Sequence, residues 1–317
     1  MIEQAKAAAS GVGPAGGRPL APRASRREPL RLRSALAIWL GAVLPACAPT
    51  INYSEPDGPR YGTARSPAGA ADTGFTPAQL TVVTFNIRYG RHVDRAIDVL
   101  RAPPLRGADV ISLQEIDADG ASRIADALGM HYVYYPSVVH PVGNRQFGPA
   151  VLARWPIEHD WKLLLPHPSW GRGQLRTVTA AVLRVGTARV RVYALHLELP
   201  IRITPAGRNR QVERILCDAR DAPEPVVIAG DFNGPDVAWL FEREGYHWAS
   251  RSTGPTAGVL HLDHIFARGL EPPGPLHAGV VTDTRGASDH RPLWAVFTLP
   301  DSAAPAAPRA TSLRCDP

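Results

Sequence analysis

The chain has 317 residues, of which 44% are hydrophobic and 20% charged, a composition that excludes wholesale disorder, collagen-like repeats and a polytopic membrane protein. Its formal net charge of +6 invites a nucleic-acid reading, but residues 1–47 alone carry Lys6 and six Arg against Glu3 and Glu28. The remainder is therefore close to neutral, and nucleic-acid binding has to be argued from a site. Three cysteines, Cys47, Cys217 and Cys315, are too few for a disulfide framework and lack metal-ligand spacing.

The basic N-terminal stretch ends at Arg33 and is followed by the apolar run Ala35–Leu44, then Pro45-Ala46-Cys47. That run is half of the roughly 20 residues a bilayer span needs. A charged segment, a short apolar segment and small residues after it make an export signal over residues 1–47. Leu44-Pro45-Ala46-Cys47 resembles a bacterial lipobox, and Ser25-Arg26-Arg27-Glu28-Pro29-Leu30 a twin-arginine motif. The expectation is export to the bacterial cell envelope, as a periplasmic protein or one anchored to the membrane by a lipidated Cys47. Residues 48–78, rich in Pro, Gly, Ala and Ser, read as a disordered linker, and residues 300–317 as a disordered tail. One domain remains, over 79–299.

Within it, Leu80–Ile87 is β-branched and strand-like. Val93, Ala96, Ile97 and Leu100 recur at helical spacing. Asp109–Glu115 reads as a buried strand, and Ala121–Leu128 as a helix stopped by Gly129. His131–Val139 and Pro149–Arg154 are strand candidates. Val178–Val185 and Ala188–Leu197 flank Gly186-Thr187 as a hairpin. Gly207–Ala219 is helical, Val226–Gly230 a core strand, and Leu262–Phe266 and Pro292–Leu299 the last strands. Strands outnumber helices and the helices fall between strand groups, which suggests a layered α+β architecture.

The informative feature recurs at strand ends. Apolar runs close on an acid, amide or imidazole that burial alone would not select: Asn86, Glu115, His196, Asp231 with Asn233, Asp263, and Asp289 with His290. Unpaired acids are rarely left in a core. Oxygen ligands gathered at one sheet edge suit Mg²⁺ or Mn²⁺ better than zinc.

These residues also carry a resemblance. Thr84-Phe85-Asn86-Ile87-Arg88, Leu113-Gln114-Glu115, Ala194-Leu195-His196, Ala229-Gly230-Asp231-Phe232-Asn233, Leu262-Asp263-His264-Ile265-Phe266 and Ser288-Asp289-His290-Arg291-Pro292 resemble, in order and spacing, the endonuclease/exonuclease/phosphatase (DNase I-like) superfamily. The resemblance implies a four-layered α/β/β/α sandwich of two mostly antiparallel sheets with the site at one end. It implies Glu115, Asn86 and Asp289 as metal ligands, and Asp231 as the group that orients or deprotonates the attacking water. Asn233 would hold phosphate oxygen or that water, His290 the scissile phosphate with Asp263 as its partner, and His196 a second phosphate contact. Arg176 is a candidate phosphate contact because guanidinium suits phosphate oxygens. Arg208 reads as a solvated helix face, and His92, His131, His140, His159, His167 and His277 as structural or exposed. Pro149 stands where relatives often carry an Asn, so no single relative's substrate carries over.

Three functions compete. The first is an exported Mg²⁺-dependent phosphoesterase acting on a lipid head group or small phosphodiester. The second is an exported DNase I-like nuclease, which needs an arginine-lined groove of the kind Arg202, Arg208, Arg210 and Arg214 would supply. The third, a non-catalytic binding domain, would have lost ligands that this chain retains.

Overall fold

Along the central strands successive side chains face different cores, and that alternation builds the layers. The computed structural model describes residues 50–65, 76–141, 143–300 and Cys315. The first sheet and its helices comprise β1 (Ile51–Asn52), β2 (Tyr61–Gly62), β3 (Gln79–Asn86), α1 (Val93–Leu100), β4 (Val110–Ile116), α2 (Ala118–Leu128), β5 (His131–Tyr134), β6 (Val138–His140) and β7 (Arg145–Ala153). The second comprises β8 (Ile157–Leu164), β9 (Thr177–Val185), β10 (Ala188–His196), α3 (Pro205–Ala219), β11 (Val226–Asp231), α4 (Ala238–Arg243), β12 (His247–Trp248) and β13 (Asp263–Arg268). The chain then returns to the first sheet with β14 (Ala278–Val280) and β15 (Leu293–Thr298).

The first sheet runs β1-β6-β7-β4-β3-β15-β14, with β5 also on β7 and β2 on β5; the second runs β12-β13-β11-β10-β9-β8. Among the described residues, β3 with β4 and β10 with β11 pair in parallel, and the other pairs are antiparallel. Each parallel pair needs a crossover, supplied by α1 and α3 respectively. Both crossovers bring two strand carboxyl ends to the same edge of their sheet.

Leu80, Val82, Val110 and Val151 of the first sheet meet Val190, Val192, Val227 and Ile265 of the second. Val83, Phe85, Ile111 and Leu113 turn the other way, onto α1 and α2. Tyr193, Leu195, Ile228 and Phe266 turn from the second sheet onto α3 and α4. Fully burying each such aliphatic contributes about 1.5–3 kcal/mol. The result is the α/β/β/α sandwich expected from the sequence. Asp117 starts α2 three residues before the expected start by accepting the Gly120 N–H at 2.9 Å, and Gly129 ends it at φ 65°.

Two expectations about the ends are corrected. Within residues 50–65 of the supposed linker, Ile51–Asn52 and Tyr61–Gly62 are strands of the first sheet: β1 pairs with β6 and β2 with β5. Two-residue strands carry no readable period. Cys315, in the supposed tail, forms a disulfide with Cys217 of α3, their Cα atoms 5.6 Å apart; isolated cysteines reveal no partner by spacing. The export signal over 1–47, with Cys47, lies outside the described residues, as do residues 66–75 and all of 301–317 except Cys315. No helix among the described residues is long and apolar enough to cross a membrane. The 131–139 segment is interrupted at Pro136, giving β5 and β6.

The N-terminal segment is held by Asp160 of β8. Its carboxylate accepts from Arg60 Nε at 2.8 Å, Arg65 Nε at 2.6 Å and the Tyr135 hydroxyl at 2.7 Å. Burial pushes the Asp160 pKa up, but the bonds from Arg65, Arg60 and Tyr135 outweigh it and hold the group well below the usual carboxylate range. A depressed folded pKa gives stability that is complete above the unfolded value of about 3.9 and is lost as pH falls below it. Asp160→Asn should therefore cost about 1–3 kcal/mol at pH 7, because both arginines stay partly solvated and are not stranded as buried charges. Urea denaturation should show that gap at neutral pH and a narrowing gap below about pH 4.

Candidate active site

At the carboxyl ends of β3, β4, β10 and β11 the inward-facing positions change from apolar to polar. On β3 the inner series runs Leu80, Val82, Thr84, Asn86; on β10 it runs Val190, Val192, Ala194, His196; on β11, Val227, Ala229, Asp231. A polar band comes first. Ser112 Oγ donates across the sheets to the Ala229 carbonyl at 2.9 Å, Gln114 Nε2 donates to Ser112 Oγ at 2.8 Å, and Thr84 Oγ1 donates to Gln114 Oε1 at 3.2 Å. These bonds join the sheets where apolar packing gives out, and they satisfy each buried polar group.

Glu115 reaches the site by breaking the alternation. Val110, Ser112 and Gln114 face inward, so Glu115 would follow Ile111 and Leu113 onto the helix side. It instead adopts φ 58°, and the β4–β7 register shifts between Leu113 and Ile116. Such a bulge re-aims a side chain. Asn86 Nδ2 then donates to Glu115 Oε1 at 3.1 Å, and the Tyr89 N–H donates to Oε2 at 3.1 Å. Arg88, Tyr89 and Asn233 also have positive φ, at 46°, 58° and 54°. A left-handed non-glycine residue costs about 1–3 kcal/mol, so the surrounding bonds must hold these conformations.

Asp231 is the hub. Its Oδ2 accepts from Asn86 Nδ2 at 2.9 Å and lies 3.3 Å from His196 Nε2 and 3.9 Å from His290 Nε2. Its Oδ1 accepts the Asn233 N–H at 2.8 Å. Gly230, just before it, is required because a Cβ there would strike the Leu195 carbonyl oxygen of β10. Asp263 Oδ2 sits 2.8 Å from His290 Nδ1. Asp263 also has its backbone N–H, like that of Leu262, donating to Thr256 Oγ1 at 3.1 Å. Asp231, Asp263 and His290 form a group whose ligand atoms all lie within 4.8 Å of one another.

Burial, then the neighbouring Asp263 carboxylate, raise the Asp231 pKa. For His290, burial alone would lower the pKa, but Asp263, Asp231 and Glu115 together outweigh it and raise it to about 10, so this imidazole is charged at neutral pH. Burial followed by the charges of Arg176 and His290 holds His196 far below its ordinary value and hence neutral. Burial raises Glu115, against the Asn86 hydrogen bond.

The residues singled out in the sequence do not all converge. Asn86, Glu115, His196, Asp231, Asp263 and His290 do. Asn233 lines the pocket, with Nδ2 donating to the Leu197 carbonyl at 2.9 Å. Asp289 is not among the residues that line the pocket; its side chain is 56% exposed and paired with Arg88 at 3.3 Å. Arg176 lines the pocket, but its guanidinium is held by Glu198 through bonds of 3.0 and 3.2 Å. Arg208 is corrected outright. Only 1% exposed, it bonds both oxygens of Asp236, at 2.8 and 3.0 Å, and the Glu198 and Phe232 carbonyls. It ties the segment after β10 to the segment after β11. His140, read as structural or exposed, lines the pocket in an aromatic wall with Tyr89 and Phe147. Sequence reasoning also passed over Ser288, whose hydroxyl donates to the Asn86 carbonyl at 2.7 Å and accepts the His290 N–H at 3.1 Å.

The chain matches the model of the endonuclease/exonuclease/phosphatase family over residues 83–290. Similar solved structures include an endonuclease/exonuclease/phosphatase from Beutenbergia cavernae, 22% identical over 70% of this chain and 72% of that one, with a TM-score of 0.58. Sphingomyelinase C from Streptomyces griseocarneus is 21% identical over 70% of this chain and 100% of that one, with a TM-score of 0.54. A mannosyl-6-phosphatase from Bacteroides thetaiotaomicron is 17% identical over 69% of this chain and 100% of that one, with a TM-score of 0.53. At these identities the likeness to the structures is one of fold. No curated protein matches the chain by sequence.

Arg208 offers a test of how the site is held. Arg208→Gln removes the donors to two buried carbonyls and should cost about 2–4 kcal/mol. Thermal unfolding should show the loss, and Arg208→Lys, which keeps charge without the planar fork, should recover only part of it.

Proposed function

The chain belongs to the endonuclease/exonuclease/phosphatase family, and on that premise we propose that it is an exported Mg²⁺- or Mn²⁺-dependent phosphoesterase acting on a lipid head group or another small phosphodiester or phosphomonoester. The observation that carries the substrate reading is the pocket. It has a volume of about 560 Å³, with Glu115, Asp231, Asn233, His196 and His290 as its polar floor, Tyr89, His140 and Phe147 as one wall, and Arg172, Arg176 and Arg202 around it. Small-molecule sites commonly measure about 300–1,000 Å³. A groove for several backbone phosphates is less well supported. Of the arginines proposed to line one, Arg208 is buried against Asp236, Arg210 pairs with Glu213 at 3.9 Å, and Arg202 alone lines the pocket. Export is supported by the N-terminal sequence and by the Cys217–Cys315 disulfide, a bond favoured in oxidising compartments.

The donor set fits a hard divalent cation. Glu115, Asp231 and Asp263 bring three carboxylates to a buried site where His290 is the charged imidazole and Arg176 is already paired with Glu198. Asp263 Oδ1 is buried with no hydrogen-bond partner. Glu115, with Asn86, Asp231 and Asp263 nearby, would hold the ion, which when bound neutralises charge on the phosphate oxygens.

The chain's own groups do the rest. Asp231, raised by burial yet fixed by Asn86 and Asn233, holds water and takes its proton. Charged His290, oriented by Asp263, donates to a phosphate oxygen as negative charge builds. Phe147, beside His196 at 5.7 Å between ring centroids, narrows access of bulk water.

Assays of the purified chain on sphingomyelin, bis-p-nitrophenyl phosphate and plasmid DNA, with and without Mg²⁺, test the reading. Metal-dependent turnover of the small or lipid esters is expected. DNA cleavage that outpaces both, and falls steeply with salt, would replace it with the nuclease reading. Asp231→Asn should lower turnover by about 10²- to 10⁴-fold while leaving most Mn²⁺ binding, whereas Glu115→Gln should lose both by titration calorimetry.

A further inference from the structure

The chemistry of the pocket does not explain what surrounds its mouth. Seven large apolar side chains are exposed among the described residues, and four of them lie around this opening: Trp170 (61%), Ile201 (79%), Val259 (85%) and Leu260 (56%). Scattered singly, such residues need no explanation; gathered at one opening, they do. Trp170 and Ile201 occupy the loops that follow β8 and β10, joined where the Trp170 N–H donates to the Arg202 carbonyl at 2.8 Å. Their loop neighbours Arg172, Gln174, Leu199 and Arg202 line the pocket. Val259 and Leu260 sit in the turn before β13. That turn is anchored to the site, with Ala257 bridged to His290 and the Arg291 N–H donating to the Thr256 carbonyl at 2.7 Å. The strand register places all three loops at one end of the second sheet, since the carboxyl ends of β8, β10 and β11 and the start of β13 fall at the same end.

Charge complements the apolar tips. Arg172 and Arg202 are exposed at the same rim, and neither has a carboxylate partner among the described residues. Both are free to meet an anion.

The geometry points to a membrane-docking rim: Trp170, Ile201, Val259 and Leu260 enter the head-group region of a phospholipid bilayer while Arg172 and Arg202 meet lipid phosphates, so that the pocket opens onto the bilayer. The inference rests on the head-group reading of the same site and adds the surface from which the substrate is drawn. Separate apolar tips around a polar opening suit a fluid surface that fills the space between them. Trp places an apolar ring and a polar N–H at an interface. Affinity then comes from buried apolar area together with attraction of the arginines to anionic lipid.

The full-length chain bearing Cys47→Ser, which rules out lipid attachment at that residue, and Trp39→Phe, which removes the indole from the apolar run of the N-terminal segment, is mixed with phosphatidylcholine vesicles containing phosphatidylglycerol. Flotation reports binding, and quenching of tryptophan fluorescence by bromine-labelled lipid reports which ring enters. Adding Trp170→Ala with Ile201→Ser should weaken flotation by about tenfold or more, and Trp170→Phe alone should remove most of the quenching. Turnover of soluble bis-p-nitrophenyl phosphate should be unchanged in both, because neither residue lines the pocket. Absence of quenching in the parent chain, or quenching undiminished in Trp170→Phe, would overturn the docking rim. Expected flotation and quenching in a chain that hydrolyses no phosphoester would uphold the rim and remove the phosphoesterase reading alone.

Discussion

A carboxylate withdrawn from water at a strand end survives only if its neighbours supply hydrogen bonds or charge, and Asp231 imposes that requirement on everything near it. Asn86 must approach from the other sheet, which fixes how the ends of β3 and β11 face each other. Asn233 must turn left-handed to return its N–H to Oδ1. Gly230 must lack a side chain so that β11 can lie against β10. His290 must be charged, and Asp263 keeps it so and oriented. Ser288, bonded to both Asn86 and His290, closes the ring between the sheets.

The same demand explains why the interior is graded. The apolar core between the sheets holds the far end together, but residues such as Asn86 and Asp231 cannot contribute to it. Ser112, Gln114 and Thr84 replace apolar contact with hydrogen bonds one layer below the site. Arg208 does the equivalent on the outer side of the second sheet, satisfying the Glu198 and Phe232 carbonyls where two strands end in loops. The segment so fixed after β10 carries the pocket-lining Leu199 and Arg202 together with the exposed Ile201.

Most of the fold was legible because alternation and helical spacing are written in residue types, as in Leu80–Ile87 and Val93–Leu100. The site was legible because acids, amides and imidazoles ended apolar runs. What escaped lacks a local signature. β8 contains Glu158, His159 and Asp160, which mask its alternation, and Asp160 is tolerable inside only because Arg60 and Arg65 arrive from about a hundred residues away. Arg208 looks like any helix-face arginine until Asp236 and two carbonyls are placed around it. Cys217 and Cys315 are 98 residues apart, a separation that reveals no pairing. Glu115 was recognised as a site residue, yet its left-handed turn, without which it would face α1 and α2, is invisible in Leu-Gln-Glu.

That turn and the charge it delivers decide the proposed cation site: Glu115 must be aimed inward to supply its carboxylate beside Asn86. Anomalous scattering from crystals soaked in Mn²⁺ tests it most directly. The expected result is a strong peak in direct contact with Glu115 on the inter-sheet side of β4, with residue 115 still left-handed. Glu115 turned toward the helices, or Mn²⁺ bound elsewhere with no peak at this carboxylate, would contradict it.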